Sequence, residues 1–246
     1  MNDSEPAPSQ WRRAIDLNAD LGEGFANDDA LLLRVTSANV CCGFHAGDSE
    51  AILRTLEAAK RCGVSVGAHP GYPDRLGFGR REQPATTEIV ERLIREQTEF
   101  LTQLAERAGV AVVYLKPHGA LYNQGQRVST IARGIARAAR SLGLPVLGQP
   151  GTLLAQEAAE HGVRFVAEGF PNRRYLPDGS LAPRGEPGAI LQDREAVSVN
   201  LRRLLAEGGV ESLCIHGDEP DAVAQADRIR ELLGTAGIAV RSFLGG

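Results

Sequence analysis

AERAGVAVVYLKPHGALYN, residues 105–123, describes three events in one direction along the chain. A helical pattern ends at Ala108 and Gly109 stops it, because glycine takes the left-handed C′ conformation without a Cβ penalty. The apolar run 112–115 follows at once and reads as a short buried strand. The strand then empties into Lys116, Pro117 and His118, polar and stiff, before an Ala-Leu-Tyr-Asn stretch.

The first half of that pattern recurs. Cys62-Gly63-Val64, Leu142-Gly143-Leu144, His161-Gly162-Val163 and Ala236-Gly237-Ile238 each place a glycine between a helical pattern and an apolar run. Five occurrences predict repeated βα units and therefore a parallel sheet covered by helices. The strands are expected at 14–17, 38–42, 65–68, 112–115, 146–148, 164–167, 212–215 and 239–242. Helices are expected at 29–35, 49–62, 87–108, 129–142, 153–161, 193–207 and 220–236. A chain of 246 residues accommodates one α/β barrel or two small domains, and strands joined by helices in this way can form either a closed barrel or an open doubly wound sheet. No G-x-G-x-x-G follows a strand and no G-x-x-x-x-G-K-[ST] occurs, so neither familiar phosphate loop is present. The Pro-, Gly- and Arg-rich segment 171–188 lacks helical periodicity and reads as a long βα loop over one end of the barrel.

The second half of the pattern, a polar exit, recurs as well. In parallel α/β folds ligands gather where the carboxyl ends of the strands open into loops. The first strand leads to Asp16, Asn18, Asp20 and Glu23, the second to His45 and Asp48, and the third to His69. The fourth leads to Lys116, His118 and Asn123, the sixth to Glu168, and the seventh to His216 and Asp218. Four of the five histidines stand at such exits; the fifth, His161, closes a helix, where a cation suits the dipole. On an extended strand Asp16, Asn18 and Asp20 share one face. Imidazole beside carboxylate suits proton transfer near neutral pH, and a lysine suits an anionic oxygen. Arg80 and Arg81 are candidate clamps for a carboxylate or phosphate. Asp with two or three His is also a zinc or iron ligand set. No H-x-x-x-H or H-E-x-x-H spacing occurs, but ligands from separate strands need no fixed spacing, so a divalent metal stays open.

Composition removes other classes. The net charge is −4 with both signs spread along the chain, which argues against a nucleic-acid partner. No window approaches a membrane span. The start, MNDSEPAPSQWRR, has no apolar core of a secretion signal, so residues 1–13 are expected as a mobile tail before a single barrel domain, 14–246, in the cytoplasm. Cys41, Cys42, Cys62 and Cys214 form no C-x-x-C pair and are expected as reduced thiols.

Five segments carry a resemblance: DLNADLGEGF (16–25), SANVCCGFHAGD (37–48), GVSVGAHPGYPDRLGFGRR (63–81), KPHGALYN (116–123) and CIHGDEP (214–220). Together they resemble the LamB/YcsF family, whose members are A subunits of bacterial ATP-dependent 5-oxoprolinase. The resemblance implies an α/β fold, a distorted seven-stranded (β/α) barrel of the glycoside hydrolase and deacetylase type. It implies ATP-driven opening of the 5-oxo-L-proline (pyroglutamate) lactam to L-glutamate, with partner subunits B and C. Within that reading Asp16 or Asp20 with His45 or His69 supplies base catalysis, and Lys116, His118 and His216 stabilise oxyanion or phosphoryl charge. Asn18, Glu23, Asp48, Arg80, Asn123, Glu168 and Asp218 are the expected substrate-binding residues. Two loops depart from the family pattern: Ala26-Asn27 runs directly into Asp28-Asp29, and Gly208-Gly209-Val210 runs directly into the seventh strand. The alternatives are a stand-alone metal-dependent amidohydrolase or deacetylase, and a non-catalytic lactam-binding subunit.

Overall fold

The computed structural model describes residues 13–245. Of the expected N-terminal tail only Arg13 falls among the described residues. Seven parallel strands close into a barrel: β1 (Ala14–Leu21), β2 (Ser37–Cys41), β3 (Ser65–His69), β4 (Val112–Leu115), β5 (Val146–Gly148), β6 (Phe165–Gly169) and β7 (Ser212–His216). Closure is made by β1, which pairs with β2 on one side and β7 on the other. An eighth strand, β8 (Ala239–Val240), lies outside the ring and pairs only with Ala14 and Ile15. The expected seven-stranded barrel is therefore what forms, and its distortion is local. The β3–β4 ladder shifts register between Val66 and Gly67, β4 meets β5 through the single pair Leu115–Val146, and only the end of β6 reaches β7.

Among the described residues eight α-helices flank the ring: α1 (Asp28–Leu32), α2 (Ser49–Cys62), α3 (Thr87–Ala108), α4 (Gly119–Arg127), α5 (Ser129–Leu142), α6 (Leu153–Glu160), α7 (Arg194–Glu207) and α8 (Ala222–Thr235). The glycine punctuation works as read: Gly63, Gly109, Gly143, Gly162 and Gly237 all have φ between 65° and 72°. Gly63, Gly109 and Gly143 each close their helix with a backbone N–H shared between two carbonyls of the last turn. Asp48, Thr86 and Asp193 cap the opposite ends of α2, α3 and α7 with side-chain oxygens.

On β1 the alternation is complete. Ile15, Leu17, Ala19 and Leu21 join the apolar core. Asp16, Asn18 and Asp20 bond to groups on β2, β6 and β7, and to Lys116 just past β4, across the barrel interior. A barrel of this kind is usually filled by branched apolar residues. Here Ser37, Asn39, Tyr114, Ser212 and Cys214 are buried too, so the lumen is a polar column, sealed by an apolar layer between strands and helices. That column also explains the largest difference from the expected strand boundaries. The first strand extends four residues past the expected end at Leu17, because alternating polar residues on a polar-lumen strand look like a loop exit. Helix α4 has no counterpart among the expected helices, since Gly119 opens it and Gly125 lies inside it. Among the described residues no helix is long and apolar enough to cross a membrane.

Candidate active site

The polar column rises from a floor to a mouth. At the floor Asp16 accepts hydrogen bonds from Thr36 and Ser37, each at 2.7 Å, and from Ser212. One step up, Asn18 donates to Glu168 Oε1 (2.9 Å) and to Ser212 (2.7 Å), and accepts from Asn39 (2.6 Å). Another step up, Asp20 Oδ1 accepts from Asn39 (2.8 Å) and from Lys116 Nζ (2.9 Å). Lys116, at 2% exposure, is the hub. Its ammonium also lies 3.0 Å from Glu168 Oε1, 3.2 Å from Asn18 Oδ1 and 2.9 Å from Cys214 Sγ.

Above this hub three imidazoles meet. His69 donates Nδ1–H to the Lys116 carbonyl at 2.7 Å, which leaves Nε2 facing Asp20 Oδ2 at 3.5 Å. His118 donates Nε2–H to the Phe78 carbonyl at 2.8 Å, which leaves Nδ1 facing His69 Nε2 at 3.0 Å. Both carbonyls can only accept, so these two facing nitrogens carry lone pairs unless a proton or cation lies between them. His45 stacks on His118 with ring centroids 3.9 Å apart. Glu23 Oε1 sits 3.2 Å from His45 Nε2 and 3.3 Å from His118 Nδ1. His216 is set back, stacked on Phe170, with Nε2 4.0 Å from Asp20 Oδ2.

Burial and neighbouring charge sort these groups. Burial opposes the charge on Lys116, but Asp20, Cys214 and Glu168 outweigh it and hold the ammonium well above its ordinary range. Asp20 is likewise opposed by burial, yet His69 and Lys116 hold its carboxyl well below the usual range. Glu23 goes the other way: burial, then Asp20 and Asp218, push it well up. Burial, then His69, drives His45 down to about 3, and burial with His45 and His69 drives His118 well down. His216 is driven down by burial and then by Arg184. The mouth thus holds a fixed Lys–Asp pair beside neutral bases, which is the division of labour that proton transfer needs.

The donor set fits a divalent cation. One ligand atom each from Asp20, His69 and His118 lies within 4.8 Å of the others, and so does one each from Glu23, His45 and His118. Two ring nitrogens aimed at one another, each with its other nitrogen tied to a main-chain carbonyl, are how metal-binding histidines are held. Several buried polar atoms around the mouth, including His45 Nδ1, His216 Nδ1 and Glu168 Oε2, have no hydrogen-bond partner among the described residues.

The remaining expected residues divide. Asp218 pairs with Arg80 at the rim, and Arg80 packs its guanidinium 4.8 Å over the Phe78 ring. Arg81 turns away to pair with Asp74. Asn123 is exposed on α4 and lines the cleft above the mouth. Asp48 is exposed and accepts from Ala51 N at 2.8 Å as the cap of α2. Asp48→Ala is therefore expected to lower stability by about 1 kcal/mol in a denaturant titration and leave turnover unchanged. Asp16 stays on the floor, away from the imidazoles. His161 lies outside the cluster, at the end of α6, with Nδ1 bonded to the Glu157 carbonyl.

Burial, opposed by the hydroxyls of Ser212, Ser37 and Thr36, raises the Asp16 carboxyl to about 6. A raised carboxyl favours folding while protonated, so this contribution is full below the unfolded value near 3.8 and is lost as pH rises through 6. Between pH 5 and pH 8 the wild type is expected to lose about 1 kcal/mol relative to Asp16→Asn, read as the difference between their unfolding free energies.

Asn39, Tyr114, Tyr122, Phe170, Arg173, Ser212 and Cys214 also build the column or its mouth and are not among the residues expected from the sequence. Period-2 reading of SANVC and SLCIH, as applied to β1, exposes Ser37, Asn39, Ser212 and Cys214 on the lumen face; nothing local marks the others. The inner pocket is small, about 50 Å³, and is lined by Asp20, His69, Lys116, His118 and His216. It shares Arg80, Asn123, Arg173, Leu181 and Arg184 with an outer cleft of about 790 Å³ beneath the 171–188 loop.

Residues 15–245 match the LamB/YcsF family. The chain belongs to the LamB/YcsF family. A relative from Streptomyces coelicolor, named as the A subunit of 5-oxoprolinase, is 45% identical, covering 93% of this chain and 99% of the relative. The crystal structure of the lactam utilization protein from Thermus thermophilus superposes with a TM-score of 0.85 at 40% identity, over 94% of this chain and all of that one. The catalytic domain of peptidoglycan N-acetylglucosamine deacetylase from Eubacterium rectale, at 12% identity and TM-score 0.51 over 94% and 88% of the two chains, shares the fold. The LamB/YcsF barrel thus has the architecture of deacetylase barrels, with its polar column opening at the strand ends.

Proposed function

We propose that this chain is the lactam-opening A subunit of an ATP-dependent 5-oxoprolinase, acting on 5-oxo-L-proline together with subunits B and C in the cytoplasm. One observation carries the reading: a buried Lys–Asp pair and the imidazoles of His69, His118 and His216 converge on a small pocket, in a chain alike over 93% of its length to a subunit of that name. The lactam is a stable amide, and phosphorylation of its oxygen by ATP turns that oxygen into a leaving group. Water then adds to the ring carbon, the C–N bond breaks with a proton delivered to nitrogen, and a second water releases phosphate, giving L-glutamate. His118, neutral with a lone pair on Nδ1, is placed to take the proton from water. His69, anchored by its Nδ1–H bond to the Lys116 carbonyl, takes it onward at Nε2, beside Asp20. Lys116 holds Asp20 ionised and fixes its position.

The facing nitrogens of His69 and His118 also favour a second reading, in which a divalent cation held by Asp20, His69 and His118 occupies those lone pairs and takes the place of the proton relay. When bound, such an ion supplies Lewis-acid polarisation of the amide carbonyl. Expected results are glutamate release only when this chain, both partners and ATP are combined, and a drop of about 100-fold or more for Asp20→Asn. Full release without this chain, or wild-type rates from Asp20→Asn, would overturn the assignment. Release without ATP or partners would favour the stand-alone hydrolase.

A further inference from the structure

Arg173 is a buried cation without an anion. It is 4% exposed, just beyond β6, where the 171–188 loop begins to fold over the mouth. Its Nε donates to the Ala189 carbonyl at 3.3 Å and its Nη2 to the Ala182 carbonyl at 2.6 Å. Its Nη1 makes no hydrogen bond among the described residues, and no described carboxylate comes within ion-pair distance. The carboxylate whose charge acts on it is that of Glu219, and Glu219 is committed elsewhere. Its Oε1 lies 3.5 Å from Arg184, and its Oε2 accepts from Asn172 at 3.1 Å and from Gln225 at 3.2 Å. Burial, then repulsion from Arg184, lowers the Arg173 guanidinium to about 10, which still leaves it charged at neutral pH. Buried charge without a counter-charge is costly, and arginine presents a fork that matches a carboxylate.

Arg173 also lines both the inner pocket and the outer cleft. In the inner pocket the other lysine and arginine side chains are spoken for: Lys116 by Asp20 and Glu168, Arg80 by Asp218, Arg184 by Asp218 and Glu219. We propose that Arg173 is the carboxylate-recognition residue of the site, selecting small ligands that carry a carboxylate beside the group presented to Lys116 and the imidazoles. This rests on the lactam reading for the identity of that second group, but not for the carboxylate.

Three probes separate the two claims in calorimetric titrations of the full chain. They are 5-oxo-L-proline, 2-pyrrolidinone (the same lactam without a carboxylate) and L-proline (the carboxylate without a lactam). The wild type is expected to bind 5-oxo-L-proline about 10-fold or more tightly than 2-pyrrolidinone. Arg173→Met is expected to weaken 5-oxo-L-proline and L-proline by about 10-fold or more while leaving 2-pyrrolidinone unchanged. A residue that merely pins the loop would weaken all three together, and that outcome overturns the proposal. So does unchanged binding of the two carboxylates, or their failure to bind the wild type. Carboxylates bound through Arg173 with no gain from the lactam would leave the subsite standing and sink the lactam reading instead. Should Arg173→Met unfold, Arg173→Lys keeps the charge without the fork, and the same selective loss is expected from it.

Discussion

Lys116→Met is expected to abolish turnover, by about 10³-fold or more, and to lower stability by about 3–5 kcal/mol. The reason lies in what the ammonium separates. Asp20 and Glu168 approach it at 2.9 and 3.0 Å, all three side chains being buried, and Asn18 and Cys214 complete its shell. Removing the cation leaves buried carboxylates facing one another without compensation. Glutamate release by the reconstituted enzyme and urea titration of the isolated chain read the two effects separately. Lys116→Met combined with Asp20→Asn should regain part of the lost stability, since one of the stranded charges goes too, and none of the activity. A single variant as stable as wild type would mean that the ammonium is not the hub of the column.

Much of this arrangement is legible before any coordinates, and the parts that are not have a common cause. The βα repeat is encoded locally: each helix-ending glycine acts on its own turn, and Gly63, Gly109 and Gly143 do in the structure what their neighbours in sequence imply. The polar strand exits are local too, which is why Asp20, His45, His69, Lys116 and His118 come together as expected. What local reading lacks is the direction of a side chain across the lumen. Asp16 and Asp20 lie on the same face of the same strand, yet one is the floor, held by hydroxyls from β2, β7 and Thr36, and the other is the mouth. Height in a barrel depends on the stagger between strands, and the β6–β7 offset that pairs Glu168 with Ser212 has no signature in either segment. Asp48 shows a second limit. Its place after His45-Ala46-Gly47 reads equally as a site residue or a helix cap, and only its exposure and its bond to Ala51 N separate the two. Arg173 shows a third, because its significance is the absence of an anionic partner among the described residues, and that is a property of the whole neighbourhood.

His118→Asn is expected to cost about 10²–10⁴ in turnover and to remove the chain's affinity for a divalent cation. Both effects follow from one contact. His118 Nδ1 and His69 Nε2 stand 3.0 Å apart, and the Phe78 and Lys116 carbonyls claim the opposite nitrogen of each ring. Two lone pairs at that distance repel, so something positive between them stabilises the arrangement. If that is a metal ion, zinc titrated into metal-free protein should bind the wild type at one equivalent and His118→Asn about 100-fold or more weakly, whether or not the partners are present. If it is a shared proton, zinc should bind neither chain appreciably while the loss of turnover persists. His161→Asn is the control, because His161 bonds to a carbonyl of its own helix outside the cluster and should change neither measurement. Wild-type turnover by His118→Asn would contradict both versions. It would mean that the imidazoles are packing for the mouth rather than its chemistry, and that the reacting groups are the Lys116–Asp20 pair alone.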